Sequence, residues 1–213
     1  MDELSSDKEQ IESLKRWIQE NWLSIALGVS LGLGGVYGWR GWQDWRVRQA
    51  EMASAEFSLL MEEANAASYE KVSARANRIV SEYNSTAYAQ MATLILARVF
   101  AEQGKYSEAA GVLRTVIDKP EIPQLAHVAR LRLARVLVSA GMTDEAMGIL
   151  AVSDQGGFSA AYEEVRGDIF VAQKNHDQAR VAYQKALSLR SSGGDTGVLQ
   201  MKLDDLGHTE SKP

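Results

Sequence analysis

The sequence predicts an all-α protein: a single N-terminal transmembrane helix, then a solenoid of paired helices that ends in a C-terminal capping helix. Three observations support this class. Residues 22–39 form a run of 18 residues without a charged side chain. Three later segments repeat one pattern and begin at Leu96, Leu133 and Arg166, which are 37 and then 33 residues apart. Only 3 of the 213 residues are proline, and strand-like alternation is scarce, so helix is favoured throughout.

The predicted organisation has four parts. Residues 1–21 form a head, residues 22–41 the transmembrane anchor, residues 42–190 the helical repeat domain, and residues 191–213 a linker, the capping helix and a tail. The head is acidic and has apolar residues at helical spacing. A short interfacial helix and a disordered segment therefore both remain open for it.

The run from Trp22 to Trp39 is long enough for a membrane helix, because it would cover about 27 Å of the roughly 30 Å hydrocarbon core. All 5 tryptophans of the chain lie in or beside it, and indole rings concentrate at membrane interfaces. A cleaved secretory signal is disfavoured because Arg40 and Trp42 stand where a cleavage site belongs. A dinucleotide-binding loop is disfavoured because Tyr37 replaces the required third glycine. A buried soluble helix is the remaining alternative to an uncleaved anchor.

Glycines within the anchor form two pairs with a spacing of four, Gly28 with Gly32 and Gly34 with Gly38. This spacing is typical of close contacts between membrane helices. These four glycines are therefore candidate helix contacts, although simple tolerance of glycine in lipid explains the pattern equally well. The positive charges on the two sides of the anchor nearly balance, so charge alone leaves its orientation open.

Composition excludes several classes of function. The net charge of −5 argues against a nucleic-acid-binding face, and the absence of cysteine excludes disulfides and thiolate metal sites. The 3 histidines are scattered. Adjacent carboxylates splay around a helix, so solvated faces are expected for three pairs: Glu62/Glu63, Glu163/Glu164 and Asp204/Asp205. We therefore predict that the protein is not an enzyme and uses no cofactor and no metal.

Each repeat has an apolar helix, a turn and a second helix. Gly104 and Gly141 are expected to adopt the left-handed conformation that ends the first helix. Ser107, Asp144 and Asp177 are expected to be the N-caps of the second helix. Small residues recur where the paired helices must approach closely: Ala97, Ala134 and Gly167 on the first helix, and Ala109, Ala146 and Ala179 on the second.

This pattern resembles the tetratricopeptide repeat. The best matches to that consensus are Gly167, Phe170, Ala179, Tyr183 and Ala186. The tryptophan usual at the start of the consensus is absent, so these copies are degenerate. Residues 57–83 resemble a still more degenerate copy of the repeat. The segment "VLQMKLDDLG", after the glycine-rich linker "SSGGDTG", is expected to form the capping helix that an open stack requires.

Over its whole length the chain resembles the ancillary SecYEG translocon subunits of Gram-negative bacteria, from the short head and the tryptophan-flanked anchor to the ending "VLQMKLDDL". The resemblance implies a single-pass protein of the bacterial inner membrane, with a cytoplasmic N-terminus and a periplasmic C-terminal domain. It also implies two partners, the SecYEG translocon and a membrane-anchored prolyl-isomerase-like periplasmic chaperone.

The first helix of each repeat lines the inner, concave side of such a solenoid, which makes this side the candidate binding surface. Arginines recur there one repeat apart and can grip a carboxylate. The apolar residues suit an extended or unfolded segment, and packing within the stack is the alternative for them. The predicted surface consists of Leu94, Arg98, Leu131, Arg132, Arg135, Val138, Asp168 and Val171.

Two functions remain open from the sequence. The repeat domain is either a tethered binding module, which docks chaperones or receives unfolded secretory chains at the translocon, or a scaffold that holds one fixed envelope partner without contacting clients. In both cases the anchor contacts membrane lipid, and no nucleic acid is bound.

Overall fold

The computed structural model describes residues 3–65, 68–190 and 196–209, and every regular element in these ranges is helical. This confirms the predicted all-α class. Most of the predicted linker, residues 191–195, lies outside the described residues. A short 3₁₀ turn spans Gly156–Phe158. The α-helices in the described ranges are α1 (Glu3–Asn65), α2 (Tyr69–Glu82), α3 (Ala87–Glu102), α4 (Tyr106–Asp118), α5 (Pro123–Ser139), α6 (Thr143–Ile149), α7 (Ser159–Ala172), α8 (His176–Leu189) and α9 (Gly197–Thr209).

The chain divides into two compact units, Met1–Gln49 and Ala50–Pro213. The first unit contains the N-terminal part of α1, whose large apolar side chains are not covered by other parts of the described chain. Trp22 and Trp39, for example, are 63% and 62% exposed. The most apolar 18-residue window of α1 has a mean hydropathy of 1.3, and none of it is buried. By length and composition, α1 is therefore a candidate membrane span.

Aromatic and cationic side chains cluster after the apolar run of α1. The rings of Trp39 and Trp42 lie 5.1 Å apart, and the guanidinium of Arg46 lies 5.0 Å from the centre of the Trp42 ring. Such a cation–π pair combines a flat apolar ring with a charge, and tryptophan is a residue that is enriched at membrane interfaces.

In the second unit, consecutive helices pack against one another, and α3, α5 and α7 also pack in series. Because short turns join them, neighbouring helices run antiparallel. The three predicted repeats are the pairs α3–α4, α5–α6 and α7–α8. The C-terminal part of α1 packs with α2 around Leu60 and Ile79, and this pair is the more degenerate copy predicted at residues 57–83. At the other end, α9 buries Leu199 and Leu206 against α8, as expected for the capping helix.

The small residues predicted at the helix crossings are all buried. The approach of α7 and α8 is close, because a Cβ added to Gly167 would lie 2.2 Å from Cε1 of Tyr183. Larger side chains fill the space around these crossings, and the largest buried cluster runs from α3 to α7. Fully buried members of that cluster include Leu113, Leu133, Leu150, Tyr162 and Ile169.

The three turns within the repeats close in the same way. In the first, the N–H of Lys105 donates to the carbonyl of Phe100 at 2.8 Å, and the N–H of Gly104 donates to that of Ala101 at 3.0 Å. Equivalent bonds close the other two turns, which is the Schellman arrangement. Gly104 has a φ of +73° and its counterpart in the second turn +79°, so the predicted left-handed glycines are confirmed. The third turn places Lys174 there, with a φ of +61°.

The N-caps predicted at Ser107, Asp144 and Asp177 are wrong, because each turn is two residues shorter than expected. The residue after the left-handed position is itself the N-cap, so the predicted residues occupy the second helical position. Carboxylates at this position still interact favourably with the positive end of the helix. The observed N-caps are Lys105, Met142 and Asn175, of which Asn175 accepts through its side chain from the N–H of Gln178.

The left-handed lysine predicts a stabilising substitution. Lys174→Gly should raise the free energy of unfolding by about 1 kcal/mol, because a non-glycine residue pays about 1–2 kcal/mol in this region, partly offset by the greater freedom of unfolded glycine. Thermal unfolding of the full chain in detergent, followed by circular dichroism, should show a Tm higher by about 2–4 °C. Gly104→Ala, at the same place in the first turn, should lower the Tm. A lower Tm for Lys174→Gly would contradict this account of the turn.

The crossing of α7 and α8 predicts the opposite effect for another glycine. Gly167→Ala should lower the free energy of unfolding by about 1–3 kcal/mol, because the new methyl group overlaps the ring of Tyr183. Gly111→Ala is the matched control, since Gly111 is exposed on α4 and an added Cβ meets nothing within 4 Å. It should stabilise by up to about 1 kcal/mol through helix propensity. Urea titrations of both variants that shift in the same direction would rule out the close crossing.

Candidate functional site

Three of the predicted surface residues line one cleft. Arg98 on α3 and Arg132 and Arg135 on α5 surround a space of about 280 Å³ between the two helices. The remaining lining residues are apolar: Ala97, Ala101, Leu113 and Val136. We call this space the arginine cleft. It contains donors for a carboxylate and an apolar floor, and its lining residues include neither a nucleophile nor a general base.

The three arginines differ in their partners. Arg98 is 55% exposed, and its Nε lies 3.4 Å from a carboxylate oxygen of Glu102 on the same helix. The Nη1 of Arg132 donates to the carbonyl of Leu94 at 3.0 Å, which holds the guanidinium across the gap between α3 and α5. Within the described ranges, no carboxylate lies at ion-pair distance from Arg132. Partial burial, and then the charges of Arg98 and Arg135, lower the pKa of this guanidinium.

Arg135 faces the next repeat as well as the cleft. Its guanidinium lies 3.8 Å from Glu164 and 3.8 Å from Asp168, both on α7. These separations are those of loose ion pairs, and the Arg135 side chain is 46% exposed. Such a pair contributes little to stability, so the guanidinium can reorient towards a ligand at small cost.

The predicted apolar residues of the surface have different positions. Leu94 and Leu131 are each 5% exposed and pack in the main core cluster. These two side chains therefore pack within the stack, which is the alternative that the sequence left open for them. Val138 is half-buried, whereas Val171 is 37% exposed. The apolar part of the surface is therefore smaller than the sequence suggests.

The inner face of the third repeat is occupied by the chain's own C-terminal helix. Lys202 on α9 lies 2.9 Å from Glu164 and 2.6 Å from Asp168. Arg190 lies 2.8 Å from Glu164, and the hydroxyl of Tyr183 donates to Asp168 at 2.9 Å. Burial, and then the charge of Asp168, raise the pKa of the Tyr183 hydroxyl, which therefore stays a donor. Lys202 and Arg190 are absent from the predicted surface, because no local spacing in the sequence links them to α7.

The adjacent carboxylates Glu163 and Glu164 splay apart as expected, but they are not solvated, so that part of the prediction is wrong. Glu163 is 5% exposed and pairs with Arg166 at 2.6 Å and Lys185 at 2.8 Å. Its neighbour Glu164 joins the separate network around Lys202. Each carboxylate is therefore held by cations from its own side of α7. Among the described residues, no three His, Cys, Asp or Glu side chains are grouped so as to hold a metal ion.

The second predicted site is the glycine face of the anchor. A Cβ added to Gly28, Gly32, Gly34 or Gly38 would meet no atom within 4 Å. These positions thus leave room for the close approach of another helix, and their role as helix contacts stays a prediction.

Comparisons with known proteins agree with this architecture. The profile of the tetratricopeptide repeat-like domain family matches residues 15–208. The chain belongs to this family. A structure with the same fold is a tetratricopeptide repeat protein from Parabacteroides merdae, with a TM-score of 0.56 and 18% identity over 73% of this chain and 57% of that one.

Two relatives extend the likeness to nearly the full length. The ancillary SecYEG translocon subunit of Escherichia coli is 28% identical over 206 residues, which cover 97% of this chain and 99% of the relative. The subunit of the same name from Haemophilus influenzae is 29% identical over 207 residues, covering 94% and 97%. The resemblance predicted from the arrangement of anchor and repeats is thereby confirmed.

The network around Glu164 predicts a pH dependence of stability. Burial opposes ionisation of Glu164, but the hydrogen bond from Lys202 and the charges of Lys202, Arg135 and Arg190 outweigh it and lower the pKa of the carboxyl below its ordinary 4.5. A lowered folded-state pKa stabilises the protein above the unfolded value, and this stabilisation is lost as the pH falls through the folded-state value.

Glu164→Gln should therefore have a lower Tm at neutral pH than the unsubstituted protein and a smaller further decrease below pH 4.5. The measurement is the Tm of the full chain across an acid pH series. Glu62→Gln is the control, since Glu62 is exposed on α1, and it should follow the unsubstituted protein. If Glu164→Gln loses stability in acid as steeply as the control, the network does not stabilise the fold.

Proposed function

We propose that the chain is a membrane-anchored protein-interaction module of the SecYEG translocon in the bacterial inner membrane. Residues 1–21 are its cytoplasmic head, residues 22–41 its anchor, and residues 42–190, with the capping helix in 191–213, its periplasmic domain. The observation that carries this proposal is the likeness to proteins named for that complex over 97% of the chain, which includes both anchor and repeats.

The periplasmic domain binds chaperone partners, emerging secretory chains or both. The resemblance makes a membrane-anchored prolyl-isomerase-like chaperone the first candidate partner. Tethering the domain beside the channel raises its effective concentration towards anything that leaves the channel, so individually weak contacts suffice. The arginine cleft supports this role, because it offers exposed charge and a small apolar floor on the face that tetratricopeptide-type stacks leave open.

A second candidate is a scaffold that holds one fixed envelope partner. It is favoured by the burial of Leu94 and Leu131, the two leucines expected to contact unfolded clients. A surface with few exposed apolar groups and defined charges suits one complementary partner better than many unfolded chains.

Site-directed photo-crosslinking in living cells separates the two candidates. A crosslinker in place of Arg98 or Val171, on the inner face, should capture translocon subunits together with several secretory chains or chaperones if the domain is a binding module. Capture of one protein alone supports the scaffold. The matched control is Val181 on the second helix of the third repeat, which is 65% exposed and should give fewer products. If Arg98 and Val171 give no product that Val181 lacks, the inner face is not the contact surface.

Two further controls belong to this experiment. Arg135→Glu should reduce the inner-face products while the helical circular dichroism signal is unchanged, since the side chain is half-exposed and only loosely paired.

In spheroplasts, added protease should remove the C-terminal domain. Protection of that domain would overturn the proposed orientation.

A further inference from the structure

We propose that the arginine cleft binds an acidic internal segment of a partner protein, with one aliphatic side chain of the segment seated between two flanking carboxylates. This inference rests on the proposed function and names the kind of sequence that the interaction module recognises.

The first step is the imbalance of charge along the inner face. Between α5 and α7, Lys202 and Arg190 already match the two carboxylates Glu164 and Asp168, to which Arg135 is only loosely paired. Between α3 and α5, three arginines and no carboxylate are among the described residues that line the cleft; Arg98 pairs within its own helix, with Glu102 at 3.4 Å. The charges between α5 and α7 are thus balanced within the chain. The cleft between α3 and α5 keeps an excess of positive charge, although the whole chain carries −5.

The second step is the preparation of Arg132 for an anion. Its Nη1 already donates to the carbonyl of Leu94, which holds the guanidinium at the cleft, and its remaining N–H groups can donate to a ligand. Burial, and then the charges of Arg98 and Arg135, lower the pKa of Arg132, and a carboxylate placed among the three arginines would offset the repulsion between them. Guanidinium groups match carboxylates by paired hydrogen bonds, which favours Asp or Glu side chains as the bound anions.

The third step is the size and lining of the cleft. A volume of about 280 Å³ lies just below the roughly 300–1,000 Å³ of small-molecule sites. Such a space suits a single side chain better than a cofactor. Its floor of alanine, leucine and valine favours an aliphatic group there. In an extended peptide, residues two apart point to the same side. The expected segment therefore has an aliphatic residue at its centre and an acidic residue two positions before it and two positions after it, with any residue between.

The test uses the full chain in detergent and a fluorescent peptide, Gly-Ser-Glu-Ser-Leu-Ser-Glu-Ser-Gly, acetylated and amidated so that it has no terminal charge. Fluorescence anisotropy should show saturable binding that weakens as sodium chloride is raised. Arg132→Gln and Arg98→Gln should each weaken binding by roughly tenfold or more, the effect of losing a charge-assisted hydrogen bond. Arg78→Gln, an exposed arginine on α2, should bind like the unsubstituted protein.

Matched peptides test each element of the pattern. Replacing both glutamates by glutamine should abolish binding, and replacing the leucine by serine should weaken it. Three results would each overturn the proposal. The first is equal binding of the glutamine peptide, and the second is a requirement for a free C-terminal carboxylate. The third is displacement of the peptide by inorganic phosphate at an ionic strength where sodium chloride does not displace it. So would unchanged binding to Arg132→Gln, provided that its helical signal is intact. If the signal is lost, Arg98→Gln alone decides the outcome.

Copurification distinguishes a failure of this inference from a failure of the proposed function. If SecYEG subunits copurify with the gently solubilised protein but the acidic peptide does not bind, only the acidic-segment proposal is wrong. If no translocon subunit copurifies, the proposed function itself is wrong, whatever the peptide does.

Discussion

Close approach of paired helices is the constraint on which the repeat domain depends. Alanine stands on both helices at the first two crossings, and at the third Gly167 meets the ring of Tyr183 at a distance that excludes any side chain. Because the helices approach closely there, larger side chains on either side interlock at the density of a protein core. A single pair cannot bury its apolar face, so each pair depends on its neighbours, and α9 protects the last exposed face.

The same stacking creates the inner face. When pairs stack in register, α3, α5 and α7 lie side by side, and residues one repeat apart become neighbours in space. Arg98 and Arg135 come to line one cleft in this way, and Arg132 reaches across the gap to the backbone of α3. The cleft is therefore a product of repetition: its arginines come from two repeats, and its floor is the apolar surface that joins them.

The end of the stack changes the chemistry of that face. Lys202 of α9 and Arg190 pair with Glu164 and Asp168, so the chain itself supplies the counter-charges at the C-terminal part of the inner face. The positive charge that remains lies nearer the N-terminal repeats. A capping helix thus has two effects, covering apolar surface and restricting where an external anion finds unpaired donors.

The sequence alone determined the helix pairs, the left-handed glycines, the small residues at the crossings and the candidate membrane span, because these follow from local periodicity, backbone preference and bilayer thickness. It also placed the arginines on one face. It did not determine the N-caps, which depend on how tightly each turn closes. Only the tertiary structure decided that Leu94 and Leu131 are buried and that Glu164 pairs with Lys202. Burial and ion pairing are properties of side chains from different helices, and no spacing within one helix encodes them.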